Sequence, residues 1–267
     1  MPELPEVETI RRELAPAVVG RALGEAWAFL HPKFLPALDA ADTTIVGVDR
    51  RGKYLLVGLD DERELVIHLG MTGSLQIRPR PDAEDDPYTR AWWVLDDGAD
   101  VLVFRDVRRF GRLRVVPNGR YEGTLAVQGP DALDPTLTAE AFWRSLRGSR
   151  RAVKTQLLSQ RPLAGVGNIY ADEALWQVGV HPLKRTVTRA QATALLAALQ
   201  DVLQAGVDNG GTTLRDYRDF NGGSGDNQRR LSAYGRYGLP CLRCGTELRR
   251  VVVDGRATTF CPTCQRR

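Results

Sequence analysis

Two C-x2-C pairs near the end of the chain, Cys241 with Cys244 and Cys261 with Cys264, constrain its fold more than any other feature. Each pair sets two thiols on one tight turn, and the sixteen residues between the pairs suffice for a hairpin that brings the turns together. Four thiolates so arranged suit tetrahedral Zn²⁺; two disulfides or free thiols are the alternatives. With every ligand supplied by the protein, no position stays open for water, so the expected zinc ion is structural. Val251 to Arg256 reads as the hairpin, with Arg256 presented at its tip.

At 267 residues and 43% apolar content, the chain has material for two compact units. The net charge is only +4, but residues 229–267 hold nine Arg against Glu247 and Asp254, so the rest is slightly acidic. A basic tail of this kind suits a polyanion, although an Arg-rich surface is the plainer alternative. No run approaches the ~20 apolar residues of a membrane span. The acidic start lacks the basic and apolar segments of a signal peptide. A cytoplasmic location, no membrane partner and a monomer are expected, and a reducing compartment favours metal ligation over disulfides.

Periodicity divides the chain into a strand-rich part and a helical part. A first helix runs through Val7, Ile10, Arg11 and Leu14. Short β runs follow at 44–48, 54–57, 65–69, 92–95, 101–104 and 113–116, separated by turn residues such as Asp96-Asp97-Gly98. Repeated short strands predict a β-sandwich. The stretch from Pro79 to Pro87, acidic and proline-rich, reads as a loose loop. From Gln128 the pattern turns helical, with segments at 138–143, 152–159, 169–177 and 189–207 and capping residues at Thr138 and Thr188. The fold class is therefore α+β. Residues 1–130 form an N-terminal β-sandwich with a leading helix, 131–150 a linker, 151–228 a helical domain and 229–267 a zinc ribbon. The glycine-rich run 209–225 is expected to be mobile, and no internal repeat is present.

The first residues carry chemistry of their own. Removal of Met1 would leave Pro2 as a secondary α-amine beside the Glu3 carboxylate, and such an amine, with a pKa near 8, attacks carbonyl carbon and forms Schiff bases. The plainer reading is a proline after the initiator and Pro5 in a first helical turn.

Ordered blocks settle between these readings: Met1-Pro2-Glu3-Leu4-Pro5-Glu6, Arg51-Gly52-Lys53-Tyr54-Leu55-Leu56, His68-Leu69-Gly70-Met71-Thr72-Gly73, Arg108-Arg109-Phe110-Gly111, Gly165-Val166-Gly167-Asn168-Ile169-Tyr170-Ala171 and the cysteine tail. Along nearly its whole length the chain resembles the bacterial formamidopyrimidine-DNA glycosylases, which excise oxidised purines and cut the strand. The resemblance implies a helix-two-turn-helix unit in the helical domain and double-stranded DNA with oxidised bases or abasic sites as partner. It implies Pro2 as nucleophile, Glu3 as acid toward the sugar ring oxygen, and Lys53 and Arg256 as helpers in elimination. A flipped base leaves a hole in the duplex, and Met71, Arg108 and Phe110 match the residues that fill it. Lys154 and Asn168 match the residues that hold the backbone beside the lesion, and Arg150 and Arg151 extend that surface.

Two departures stand out. Tyr88-Thr89-Arg90 replaces a His-x-His element, so Tyr88 and Arg90 are weaker candidates for DNA contact. Residues 221–228 lack the proline and aromatics usual in the lid over a flipped oxidised guanine, which predicts a loose lid. Leu4, where endonuclease VIII relatives carry Gly, favours oxidised purines over pyrimidines. A glycosylase for oxidised pyrimidines, a catalytically silent lesion-binding protein and a zinc-ribbon protein for RNA or protein remain the alternatives.

Overall fold

A computed structural model describes residues 1–96 and 98–266. The chain divides into two units by packing, one of residues 1–126 and 209–226, the other of residues 127–208 and 227–267.

In the first unit, helix α1 (Leu4–Val18) precedes strands β1 (Ala22–Ala28), β2 (Thr43–Arg51), β3 (Tyr54–Leu59), β4 (Arg63–His68) and β5 (Gly73–Pro79). A short helix α2 (Arg80–Asp85) leads to β6 (Thr89–Leu95), β7 (Asp100–Asp106), β8 (Arg112–Pro117) and α3 (Gly123–Val127). The strands run in the order β5-β7-β6-β1-β2-β3-β4-β8. At the middle of that order β1 and β2 share only the pairs Ala22↔Thr44 and Leu23↔Thr43, so the sheet can fold over on itself there. One core results: Leu23, Trp93 and Phe104 from one half meet Ile45, Leu55, Ile67 and Leu113 from the other, with Val7, Ile10 and Leu14 of α1. Alternation explains the layering. In β6, Trp93 and Leu95 enter this core, while Trp92 and Val94 pack outward with Ala83 of α2.

The six predicted strands are all present, joined by β1 and β5, whose sequences alternate too weakly to stand out. The stretch read as a loose loop is ordered: Ala83 is fully buried, and Arg80 bridges Glu84 and Glu25 at 2.8 Å each.

The second unit contains α4 (Ala139–Arg147), α5 (Val153–Leu158), α6 (Asn168–Gln177), α7 (Arg189–Asp208) and the hairpin β9 (Arg249–Val253) and β10 (Arg256–Phe260). Thr138 caps α4 by accepting the Ala141 N–H at 3.2 Å. Thr188 and Gln191 cap α7 reciprocally, each accepting the other's backbone N–H at 3.1 Å. Residues 131–150 are thus no bare linker but hold α4, whose Glu140 pairs with Arg189 of α7. Residues 209–226, assigned by sequence to the helical domain, pack with the first unit.

Lys154 of α5 is completely buried. Its ammonium donates to Asp172 of α6 and, at 2.8 Å, to Thr258 of β10. The other Asp172 oxygen accepts the Thr259 N–H at 3.0 Å, so one buried ion pair joins two helices to the hairpin. Removing one partner of such a pair strands a charge, at a cost of roughly 3–5 kcal/mol. Lys154→Met should therefore lower the unfolding free energy by about that amount in chemical denaturation, and Lys154→Met with Asp172→Asn should recover part of it. Equal losses in the two variants would refute this role for the pair.

Candidate catalytic and nucleic-acid site

Pro2 and Glu3 lie buried just before α1. The Glu6 carboxylate fixes them. Its Oε2 accepts the Glu3 N–H at 2.7 Å, and its Oε1 accepts the Thr212 N–H at 2.7 Å. The Tyr217 hydroxyl donates to the Glu6 carbonyl at 3.4 Å. Gly211, at φ 86°, allows this approach, because a Cβ there would stand 3.0 Å from Glu6 Cγ. The same helix grips the turn that carries Lys53. Arg50 Nε donates to Glu8 Oε2 at 3.0 Å, and its Nη1 donates to the Gly52 carbonyl at 3.0 Å. Burial works to raise the Glu8 carboxyl, but hydrogen bonds from Arg11, Arg12 and Arg50 hold it down at about 2. Lys53, next in the chain after Gly52, is buried.

Met71 stands on the turn between β4 and β5 and is 36% exposed; Phe110, before β8, is 49% exposed. Asp106 makes one body of their two turns. Fully buried, it accepts the Thr72 hydroxyl on Oδ1 and the Gly111 N–H on Oδ2 at 2.6 Å, while Thr72 Oγ1 accepts the Arg108 N–H at 3.0 Å. Gly70, at φ 65°, meets the other turn directly, since a Cβ there would lie 2.5 Å from Gly111 N. The Arg108 guanidinium rests 4.8 Å from the Phe110 ring centroid.

Tyr88 and Arg90 differ in kind. Tyr88 is exposed and stacks under Arg105 at 4.8 Å. Arg90 is 5% exposed and donates from Nε to the Asp106 carbonyl at 2.9 Å. The weak expectation that Arg90 touches DNA is therefore corrected: its charge is spent inside the fold, on the backbone of the residue that locks the two turns. In the lid segment, Gly223 N–H donates to Asp219 Oδ1 at 2.6 Å and Gly225 N–H to Thr213 Oγ1 at 3.0 Å, leaving residues 221–224 exposed.

In the second unit, the Gly165–Gly167 turn leads into α6 and places Asn168 in its first turn. Gln160 braces that turn, accepting the Gly165 N–H at 2.8 Å and donating to the Val166 carbonyl at 2.7 Å. Asn168 Nδ2 donates to the Ala257 carbonyl at 3.1 Å, one residue from Arg256. Arg256 is exposed beside the hairpin turn, where Asp254 at φ 48° and Gly255 at φ 73° make the tight Asp-Gly connection expected of such a hairpin. Arg150 and Arg151 are exposed as well. Lys154, predicted to face the DNA backbone, does not reach the surface; it anchors the hairpin from beneath.

The four cysteine sulfurs lie within 4.8 Å of one another, and Cys244 and Cys261 are 3.5 Å apart. Around Zn²⁺ with bonds of ~2.3 Å, tetrahedral sulfurs sit roughly 3.8 Å from each other, so the donor set fits one structural zinc. The Trp176 indole N–H donates to Cys241 Sγ at 3.3 Å, and Gln265 accepts the Cys261 N–H at 2.8 Å, which orients the ligands from outside.

Glu6, Asp106, Gln160 and Asp172 escaped the sequence reading. Glu6 alone had a local signal, standing three residues after Glu3 at the spacing of a helix cap. Asp106 reaches Thr72 and Asp172 reaches Lys154 across long separations, and Gln160 braces a nearby turn with a spacing that has no cap or motif signal.

Burial pushes His68 down to about 4, helped by the charges of Lys53 and Arg112 against an opposing pull from Asp106. Its neutral Nδ1 accepts the Gly70 N–H at 3.3 Å at the base of the Met71 turn. The unfolded chain protonates near the ordinary value of 6.5, so it binds the extra proton first and stability must fall as pH drops from there toward 4. Replacing His68 with Gln should flatten this limb of the stability–pH curve in urea denaturation; an unchanged slope would disprove the assignment.

Comparison with known proteins places the whole chain. The chain matches the family models for the formamidopyrimidine-DNA glycosylase N-terminal domain over residues 1–113, the formamidopyrimidine-DNA glycosylase H2TH domain over 128–218 and the zinc finger found in FPG and IleRS over 238–267. It is 43% identical to the formamidopyrimidine-DNA glycosylase of Thermomicrobium roseum, covering 99% of each chain. Identity to the enzyme of that name from Thermus thermophilus is 45%, over 99% of this chain and 98% of the other. Among solved structures, the MutM (FPG) protein from Thermus thermophilus superposes with a TM-score of 0.91 at 46% identity, covering 99% of this chain and 98% of that one. A complex of a Lactococcus lactis FPG mutant with Fapy-dG containing DNA gives 0.90 at 33% identity, covering 100% of both. With all three parts matched in order and full-length relatives at this identity, the chain belongs to the formamidopyrimidine-DNA glycosylase family.

Proposed function

We propose that this DNA glycosylase is bifunctional, excising 8-oxoguanine and ring-opened formamidopyrimidines from double-stranded DNA and then cleaving the strand as an apurinic/apyrimidinic lyase. The observation that carries the reading is the clasp on α1: Glu6 holds the Pro2-Glu3 segment, and Glu8, through Arg50, holds the Lys53 turn against the same helix. A nucleophile, an acid and a cation are thereby held to one helix. The named complexes of relatives with Fapy-dG, carbocyclic 8-oxo-G and abasic-site DNA support the substrate class. The protein works as a monomer in the cytoplasm, at the nucleoid.

In the proposed reaction Met1 has been removed. The Pro2 nitrogen attacks C1′ of the flipped nucleotide and the C1′–N bond breaks; the base leaves with its electron pair and takes up the proton that the Pro2 nitrogen loses on becoming a tertiary amine. Glu3 protonates the ring oxygen, which opens the sugar and leaves an iminium on Pro2. The iminium acidifies the C2′ proton; its loss breaks the C3′–O bond, and a second elimination breaks the C5′–O bond. Lys53 and Arg256 neutralise the departing phosphates. Met71, Arg108 and Phe110 occupy the vacated stack, locked as one wedge by Asp106. Arg150, Arg151 and Asn168 hold the strand, Tyr88 lies at the margin, and Lys154 acts only by supporting the hairpin. Zinc supplies no chemistry here; its four thiolates hold the hairpin that presents Arg256.

Borohydride should trap chain lacking Met1 on abasic and 8-oxoguanine duplexes. Pro2→Gly should trap more slowly, and a chain shown by mass spectrometry to retain Met1 should not trap. Full trapping by that chain would exclude the Pro2 mechanism, and preference for an oxidised-pyrimidine duplex would move the protein to the endonuclease VIII type. Metal analysis should find one zinc per chain. Cys244→Ser should lose zinc and DNA affinity together while the first unit stays folded, because ligand loss melts the hairpin; active protein free of zinc would contradict this.

A further inference from the structure

Beside the zinc hairpin the second unit holds a groove of 820 Å³, walled by Arg150 and Arg151, by Lys184 and Arg185, and by Val252 to Asp254. Both basic segments are fixed in place. Val153 N–H donates to the Lys184 carbonyl at 2.7 Å, pairing the start of α5 with the loop after α6. The buried Gln156 side chain donates to the Arg151 carbonyl at 2.9 Å and so holds the first segment from behind. Buried His181 holds the second, its Nδ1 accepting the Leu183 N–H at 3.1 Å and its carbonyl the Lys184 N–H at 2.9 Å. The ring of His181 is wedged edge-on against Phe260 of β10 at 4.7 Å.

Among the described residues, the ion pairs of this unit engage Arg144, Lys154 and Arg189, and none engages the four cations of the groove. Asp254 is the single carboxylate in the lining, so the groove keeps an excess of positive charge. No aromatic ring lines it, and the rest of the wall is aliphatic or small. Such a surface can neutralise phosphates and cannot stack or read a base.

We propose that Lys184 and Arg185 form a second phosphodiester-binding site, continuous with Arg150 and Arg151, that grips the DNA backbone without regard to sequence. The proposal rests on the reading of the protein as a DNA glycosylase and adds to it a footprint wider than the lesion contacts alone. Each phosphate neutralised releases counterions and contributes about 0.9 to the slope of log affinity against log salt.

The test is equilibrium binding, by fluorescence anisotropy across a salt series, to a duplex bearing a tetrahydrofuran abasic analogue that cannot be cleaved. Lys184→Ala with Arg185→Ala should reduce the magnitude of the slope by about 1.8, for two lost phosphate contacts. Lys184→Arg with Arg185→Lys should keep the wild-type slope. Arg144→Ala with Arg189→Ala, which removes the same charge from exposed positions outside the groove, should also keep it. An unchanged slope in the first variant, or an equal fall in the charge-matched control, would overturn the proposal. Thermal melting confirms that each variant is folded. Failure of the glycosylase reading is seen separately, as failure of the wild-type protein lacking Met1 to trap on a lesion duplex.

Discussion

A buried carboxylate must be satisfied oxygen by oxygen or not be there at all, and Glu6, 1% exposed, is the one on which the N-terminal segment of the protein depends. Stranding such a charge costs several kcal/mol, whereas each charge-assisted bond to a backbone N–H contributes about 1.5–3 kcal/mol. Glu6 spends one oxygen on the N–H of Glu3 and the other on that of Thr212. The segment bearing Pro2 is thereby tied to residues that lie 206 positions away in sequence. This is why 209–226 packs with the first unit although it follows α7 of the second. An amine acting as the proposed nucleophile needs placement to a fraction of an ångström, and a helix N-terminus capped from two directions supplies it better than a frayed chain end.

The same device recurs. Asp106 gathers a hydroxyl and backbone N–H groups of the wedge turns, Asp172 takes the Thr259 N–H besides Lys154, and Glu173 accepts three successive N–H groups from Ser232, Ala233 and Tyr234 at 2.7–2.9 Å. Burial pushes Glu173 up and Asp172 up to about 6, and donated hydrogen bonds pull both back. In each case the carboxylate is buried and holds an adjoining loop, turn or strand by its backbone. An exposed loop has one face in water, so core packing alone cannot define its shape. Buried carboxylates do so from the inner side, where water does not compete.

What the sequence revealed follows from how local each signal is. The cysteine spacing, the Asp254-Gly255 turn and the Thr138 and Thr188 caps are set by neighbours within a few residues, and all four features stand where the spacing puts them. Core strands such as β6 and β7 announced themselves by apolar runs, whereas β1, with Gly24 and Glu25, and β5, opening on Gly73, were hidden because half their faces are polar or bare. Arg90 and Lys154 misled for one reason: a cation in sequence looks the same whether it faces a phosphate or a buried acceptor. Only the fold, which brings Asp106 to Arg90 and Asp172 to Lys154, tells the two apart. The basic groove was half legible, since Arg150 and Arg151 stand out in sequence while Lys184 and Arg185 join them only through the bond between their loop and the start of α5.

The zinc hairpin shows why one anchor is not enough. A two-stranded ribbon in water is marginal by itself, and this one buries little: Val252 is 62% exposed, while Val253 and Leu248 turn inward. Four thiolates close its base, but they lie at the opposite end from Asp254 and Gly255, where Arg256 emerges. Between the two ends, Lys154 reaches Thr258 and Asp172 reaches Thr259, fastening β10 to α5 and α6. Metal and ion pair thus divide the work along the strand: the zinc fixes where the hairpin starts, and the buried lysine fixes the direction in which it points. Arg256 is placed only when both hold, and neither touches it.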